Sequence, residues 1–115
     1  MTTYELLRED EWTTDGRRIV PPVLIPDKVI PLLQRDADEE YRTKIVGKVT
    51  HIRREGNRIV GDVDMDLPPD TAFTCDVDYA HHMTRTLDDG RVEMKSVRLR
   101  AANVNTKDNY PWKDD

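Results

Sequence analysis

Ser96, the only serine in the chain, and the three histidines His51, His81 and His82 are the side chains best suited to do chemistry. Nucleophilic catalysis needs a nucleophile, a base in hydrogen-bond reach and donors for the oxyanion. Ser96 stands in Glu93-Met-Lys-Ser-Val-Arg-Leu-Arg100, without a glycine-bearing turn to expose it, so its setting predicts an ordinary strand hydroxyl. Sequence order places no imidazole beside it. His81 and His82 are neighbours, and neighbouring strand residues point to opposite faces, so they do not grip one ion unless the chain bends. His51 is expected on a core face near a strand end, as a partly buried, hydrogen-bonded imidazole. Asp62, Asp64 and Asp66 resemble the opening of a calcium loop but lack the glycine turn and distal glutamate. In a strand they share a face at steps of about 6 to 7 Å, too far apart to chelate one ion alone. Asp76 and Asp78 repeat the arrangement, and facing acid rows repel unless Lys48, Arg54, Arg98 or Arg100 lies between them. Neither a metal nor a cofactor is expected.

Strands must position these groups. Residues 45–66 alternate apolar and polar side chains on two arms, the pattern of a hairpin with one buried face. A three-residue loop, Glu55-Gly56-Asn57 with Asn57 left-handed, sets Ile45, Gly47, Val49 and His51 against Leu67, Met65, Val63 and Gly61 on the core face. Lys48 then meets Asp64 and Thr50 meets Asp62 on the wet face, with Ile52 beside Val60. A two-residue Gly56-Asn57 turn would instead oppose Val49 with Asp64 and His51 with Asp62. A further strand is expected over 71–79, with Phe73, Cys75, Val77 and Tyr79 on one face and Cys75 a buried small hydrophobe. Asp88-Asp-Gly90 supplies a second hairpin turn into 91–104, where two apolar sets of opposite parity point to a bulge near Lys95-Ser96.

Elsewhere the chain is punctuated. Residues 1–18 show no sustained period, which predicts an arm with a short strand near 17–20. Pro21, Pro22, Pro26 and Pro31 forbid a long helix and favour short, edge-like segments over 23–33, lying along a surface. Residues 36–41 are acidic and expected as loop. Residues 105–115 end in Tyr110-Pro-Trp112 and an acidic tail. The expected fold is all-β: one domain over 1–115, a mainly antiparallel small barrel or sandwich built on hairpins, with extended terminal arms at 1–16 and 105–115.

Composition sets limits on function. Charged residues make up 36% of the 115 and hydrophobic ones 37%, giving a heavily solvated surface on a modest core. A net charge of −5 without a basic run disfavours direct nucleic-acid binding. The single cysteine makes no internal disulfide, and no apolar run approaches the roughly 20 residues a membrane span needs. The N-terminus lacks the basic start and apolar stretch of a signal peptide, so cytoplasmic synthesis is expected.

Val29-Ile-Pro-Leu-Leu33, a polar loop and the strand and hairpin over 45–63 resemble the N-terminal portion of tailed-phage prohead maturation proteases, and Asp15-Gly-Arg-Arg-Ile-Val-Pro21 resembles their early strand and turn. Val97-Arg-Leu-Arg-Ala-Ala-Asn-Val104 with Tyr110-Pro-Trp112 is similar to small virion proteins. The resemblance covers about half the chain. It departs where the family carries a histidine after Pro-Leu-Leu, since this sequence reads Leu33-Gln-Arg-Asp-Ala-Asp38. A β-scaffold without catalysis reconciles likeness and departure. The expected function is a phage decoration or minor capsid protein, made in the host cytoplasm and resident in the virion, with the major capsid protein as partner and a homo-oligomer such as a trimer possible. Trp12, Val23, Ile25, Ile30, Tyr110 and Trp112 are the expected binding surface, unless the tryptophans cover the molecule's own core. The alternatives are a serine protease using Ser96 with a histidine, and a phage-encoded inhibitor binding a host protein through its acidic face.

Overall fold

The computed structural model describes residues 2–35 and 43–112, and they form an all-β domain. The acidic stretch 36–41, expected as loop, and the last residues of the tail lie largely or wholly outside the described residues. Nine strands follow in order: β1 Thr2–Arg8, β2 Arg17–Ile19, β3 Ile30–Arg35, β4 Thr43–Glu55, β5 Arg58–Val63, β6 Thr71–Asp78, β7 Thr84–Thr86, β8 Val92–Met94 and β9 Arg98–Thr106. Six make one sheet in the order β1-β5-β4-β3-β9-β6, and three make a small sheet, β2-β8-β7. All ladders are antiparallel except β3 with β9 and β2 with β8. The large sheet curls until its two end strands meet. The Tyr4 ring stands edge-on to Phe73 at 4.9 Å, and the Cys75 thiol donates to the Leu6 carbonyl at 3.3 Å. The result is a nearly closed barrel around Leu6, Leu32, Val49, Ile59, Val63, Phe73 and Leu99.

Four bulges produce the curl, because one extra residue in a ladder bends and twists its strand. Leu6 is extra on β1 between Glu5 and Leu7 opposite Val60 and Ile59, so Leu6 and Leu7 are both buried. Val46 is extra on β4 where Gly47 faces Leu32 and Ile45 faces Leu33. A third shift lies on β4 between Thr50 and Arg53, and Arg100 is extra on β9 opposite β6.

These shifts correct the expected hairpin faces. Val49 faces Val63 and Thr50 faces Asp62, as the three-residue loop requires, yet Glu55 faces Arg58 across a two-residue Gly56-Asn57 turn. Gly56, not Asn57, takes the positive φ, at 62°, since glycine has no Cβ to clash there. The odd residue is absorbed at His51, whose φ is 50°. The bulge turns His51 out to solvent and Ile52 in against the core. The Val46 bulge likewise flips parity, leaving Ile45 71% exposed instead of on the core face.

Other expectations change for similar reasons. Thr2–Arg8, expected in an arm, is a strand of the main sheet paired with β5. Residues 105–110 finish β9 and form a short 3-10 turn, Lys107–Asn109, packed against the barrel. Of residues 23–33, expected as edge-like, the last part belongs to β3, which is flanked on both sides by β4 and β9. Pro31 is tolerated because it precedes the β9 ladder, which begins at Leu32. The bulge expected near Lys95-Ser96 is a full break: β8 ends at Met94 in the small sheet and β9 starts at Arg98 in the large one.

Gly61 tests the packing. A Cβ there would collide with Val49 Cγ1 and lie 3.2 Å from Leu6 Cδ1, whereas one at Gly47 would meet Met65 Sδ at 3.4 Å and Leu32 Cδ2 at 3.5 Å. Gly61→Ala is expected to lose about 1–3 kcal/mol in urea unfolding, and Gly47→Ala to change stability by less than about 0.5 kcal/mol.

Candidate binding surface

At the end of β1 a buried carboxylate organises the surrounding surface. Glu9 is 2% exposed, and its two oxygens accept from Arg54 Nε at 2.6 Å and Nη2 at 3.1 Å. The Val23 N–H donates to the same carboxylate at 2.7 Å, and Arg54 Nη2 donates to the Val23 carbonyl at 3.0 Å. The backbone of Glu9 also meets the hairpin tip: its N–H donates to the Asn57 carbonyl at 2.7 Å, and Asn57 Nδ2 donates to its carbonyl at 3.2 Å. Burial raises the Glu9 pKa, but the Arg54 and Val23 hydrogen bonds and the Arg54 charge outweigh it and hold the carboxyl below its ordinary 4.5.

Beyond Glu9 the chain reverses at Asp10, and the aromatic residues expected as anchors are used within the molecule. Trp12 is half-buried, with the guanidinium of Arg91 4.3 Å and that of Arg18 5.7 Å from its ring centre. Arg18 is held in turn by Asp10 and Glu93. Trp112 is 7% exposed and donates its indole N–H to the Glu11 carbonyl at 2.9 Å. Val23 and Ile30 are each 3% exposed, and Ile25 is packed against the core. In this conformation Val23, Ile30 and Trp112 expose almost no surface.

Tyr110 lines a cleft of about 560 Å³, with Tyr4, Glu5, Arg8, Arg58 and Lys107 among its walls. Glu5 is bridged by Arg8 and Arg58, each at 3.1 Å, and Arg8, itself 3% exposed, also holds Glu11 at 2.8 Å. Burial, reinforced by the nearby Glu5 carboxylate, raises the Tyr110 phenol; its hydroxyl is enclosed yet meets no partner at hydrogen-bonding geometry.

The groups singled out for chemistry are dispersed. Ser96 is exposed on a left-handed turn with φ 55°. The Lys95 N–H donates to the Met83 carbonyl at 2.9 Å, which sets that turn beside the short 3-10 turn His81–Met83. No hydrogen bond joins the Ser96 hydroxyl to the imidazole of His51 or His82. His51 Nδ1 lies 3.5 Å from Asp62. Asp62 accepts from the Thr3 hydroxyl, which with Arg53 and His51 lowers its pKa against desolvation. The acid rows do not face each other: β5 lies between β1 and β4, and β6 pairs with β9, where Asp78 meets Arg100 at 3.3 Å. Burial, then the Asp76 charge, pushes the Cys75 thiol up to about 12; the residue is half-buried, but its sulfur is turned inward to Leu6.

A surface that the sequence did not mark lies at the start of β4. Residues 43–48 pair with β3 on one side, but β5 ends opposite Val49, so among the described residues their other edge has no strand partner. Ile45 projects beside this edge, and a groove of about 310 Å³ runs along it between Val46, Lys48, Val63 and Met65. Strand alternation gave no sign of it, because the exposure of Ile45 follows from the Val46 bulge. No family model matches the chain, and no curated protein or solved structure matches it either.

Glu9→Gln is expected to cost about 2 kcal/mol near neutral pH, since it breaks a buried pair whose arginine is partly solvated. Because the folded carboxyl titrates below 4.5, its ionic contribution is complete above that pH and fades as pH falls through the folded pKa. Urea unfolding of both proteins should therefore show the gap narrowing in acid. Tyr110→Phe removes an unpartnered hydroxyl and is expected to leave thermal stability equal or raise it by about 1 kcal/mol.

Proposed function

We propose that the chain is a structural binding module, a decoration or minor capsid protein that clamps the major-capsid lattice of a tailed phage, with the free edge of β4 as its docking face. The observation that carries the binding role is the 71% exposure of Ile45 beside a strand edge that has no partner among the described residues. Such an edge offers unpaired backbone groups, and an exposed apolar side chain next to it adds burial on contact. The capsid partner is supported by the likeness of residues 29–33 and 45–63 to prohead proteases. Lattice repetition would let each contact be weak. The aromatic residues serve this role indirectly, by fixing the ends of the module.

A second reading, a serine hydrolase of prohead-protease type, draws on one observation: Ser96 is exposed at a positive φ beside the His81–Met83 turn. Ser96→Ala leaves virion maturation unchanged under the structural reading and abolishes cleavage under this one.

Ile45→Asp is expected to weaken co-sedimentation with phage capsids about tenfold, the scale of one lost apolar contact, while the melting temperature stays within about two degrees. Unchanged co-sedimentation, or none by the parent protein, would overturn the proposed docking face or the proposed function respectively.

A further inference from the structure

The end strands of the large sheet, β1 and β6, meet through side chains, with no ladder between them among the described residues. At that seam lies a cavity of about 230 Å³. Leu7 of β1 and Cys75 and Val77 of β6 line it from the barrel, Ile19 of β2 and Met94 of β8 from the small sheet, and Trp112 from the segment after β9. Its charged groups are engaged with one another: Arg17 pairs with Asp15 at 3.2 Å, and the Thr13 hydroxyl donates to the same carboxylate. Both side chains of that pair are exposed to solvent, so they mark the mouth. Further in, burial keeps the Cys75 thiol neutral, and its hydrogen goes to the Leu6 carbonyl. Among the described residues, the one buried side-chain polar atom without a partner is the Tyr110 hydroxyl, which lines the neighbouring cleft and not this cavity.

Such a space rewards water poorly. A buried water needs about two to four polar partners, whereas apolar cavities of about 150 Å³ stay dry and take benzene. At about 230 Å³ the volume exceeds that of such a cavity yet falls below the roughly 300 Å³ at which drug-sized sites begin. We infer that the seam pocket binds a small neutral apolar molecule, the size of one aromatic ring with one or two methyl groups. Its occupant touches the barrel, the small sheet and Trp112 together, and therefore stabilises their union by mass action.

The probe is p-xylene, titrated into the intact protein and followed by methyl and indole NMR. Saturable shift changes are expected at Leu7, Ile19, Val77, Met94 and the indole N–H of Trp112, with a melting temperature that rises with ligand concentration. Hydroquinone, which carries hydroxyls in place of the methyls, is expected to bind about tenfold more weakly or worse, because burying them unpaired is costly. Val77→Phe fills the space and is expected to abolish saturation; the contrast between the two ligands on the parent protein decides the matter even where that variant does not fold. Ile45→Asp, outside the pocket, is expected to bind p-xylene as the parent does, which separates this site from the docking face. No saturation up to the solubility of p-xylene, equal binding of hydroquinone, or shifts mapping away from the pocket would each overturn the inference.

Discussion

The buried Glu9 carboxylate is the constraint on which the surrounding architecture depends. An ionised carboxylate with almost no exposure is tolerated only when a cation and hydrogen-bond donors replace its lost water. Arg54 from the β4 arm and the Val23 N–H provide them, while the Glu9 backbone holds Asn57 at the hairpin tip. Three segments distant in sequence are thereby joined at one end of the barrel. Val23 enters the core there, which sets the path of the proline-punctuated chain toward β3 in the middle of the sheet.

From that anchored end, the bulges determine what the sheet can do. Each extra residue bends a strand and reverses which side chains face inward beyond it. Leu6 and Leu7 fill the interior together, Ile52 turns in, and His51 and Ile45 turn out. Bending also brings β1 against β6, so the ends of the strand order cover each other. Near β4 the opposite happens: β5 stops at Val63 while β4 extends six residues further, counting 43–48, and among the described residues the extension has one edge without a strand partner.

The charge distribution reinforces this contrast. Arg8, Arg18, Arg53, Arg54 and Arg58 are engaged with acids, and the tryptophans are engaged with arginines or with backbone. Surface pairs of this kind contribute little to stability individually. Among the described residues, the start of β4 combines a strand edge without a partner and an exposed apolar side chain, Ile45.

The sequence by itself determined the β character, the two hairpins and most strand positions, because period-two alternation and small turn residues act locally. It located β6 to within a residue at its end, and it marked the Asp88-Asp-Gly90 turn between β7 and β8. It also contained both halves of the β4–β5 register without showing that they coexist. Only the tertiary structure decided where the bulges fall, and hence which face Ile45 and His51 occupy, that β1 belongs to the sheet, and that Trp112 is buried. A bulge has no local signature in this chain: its position is set by closing a curved sheet around a fixed core volume and by satisfying Glu9, and both conditions involve residues far apart in sequence.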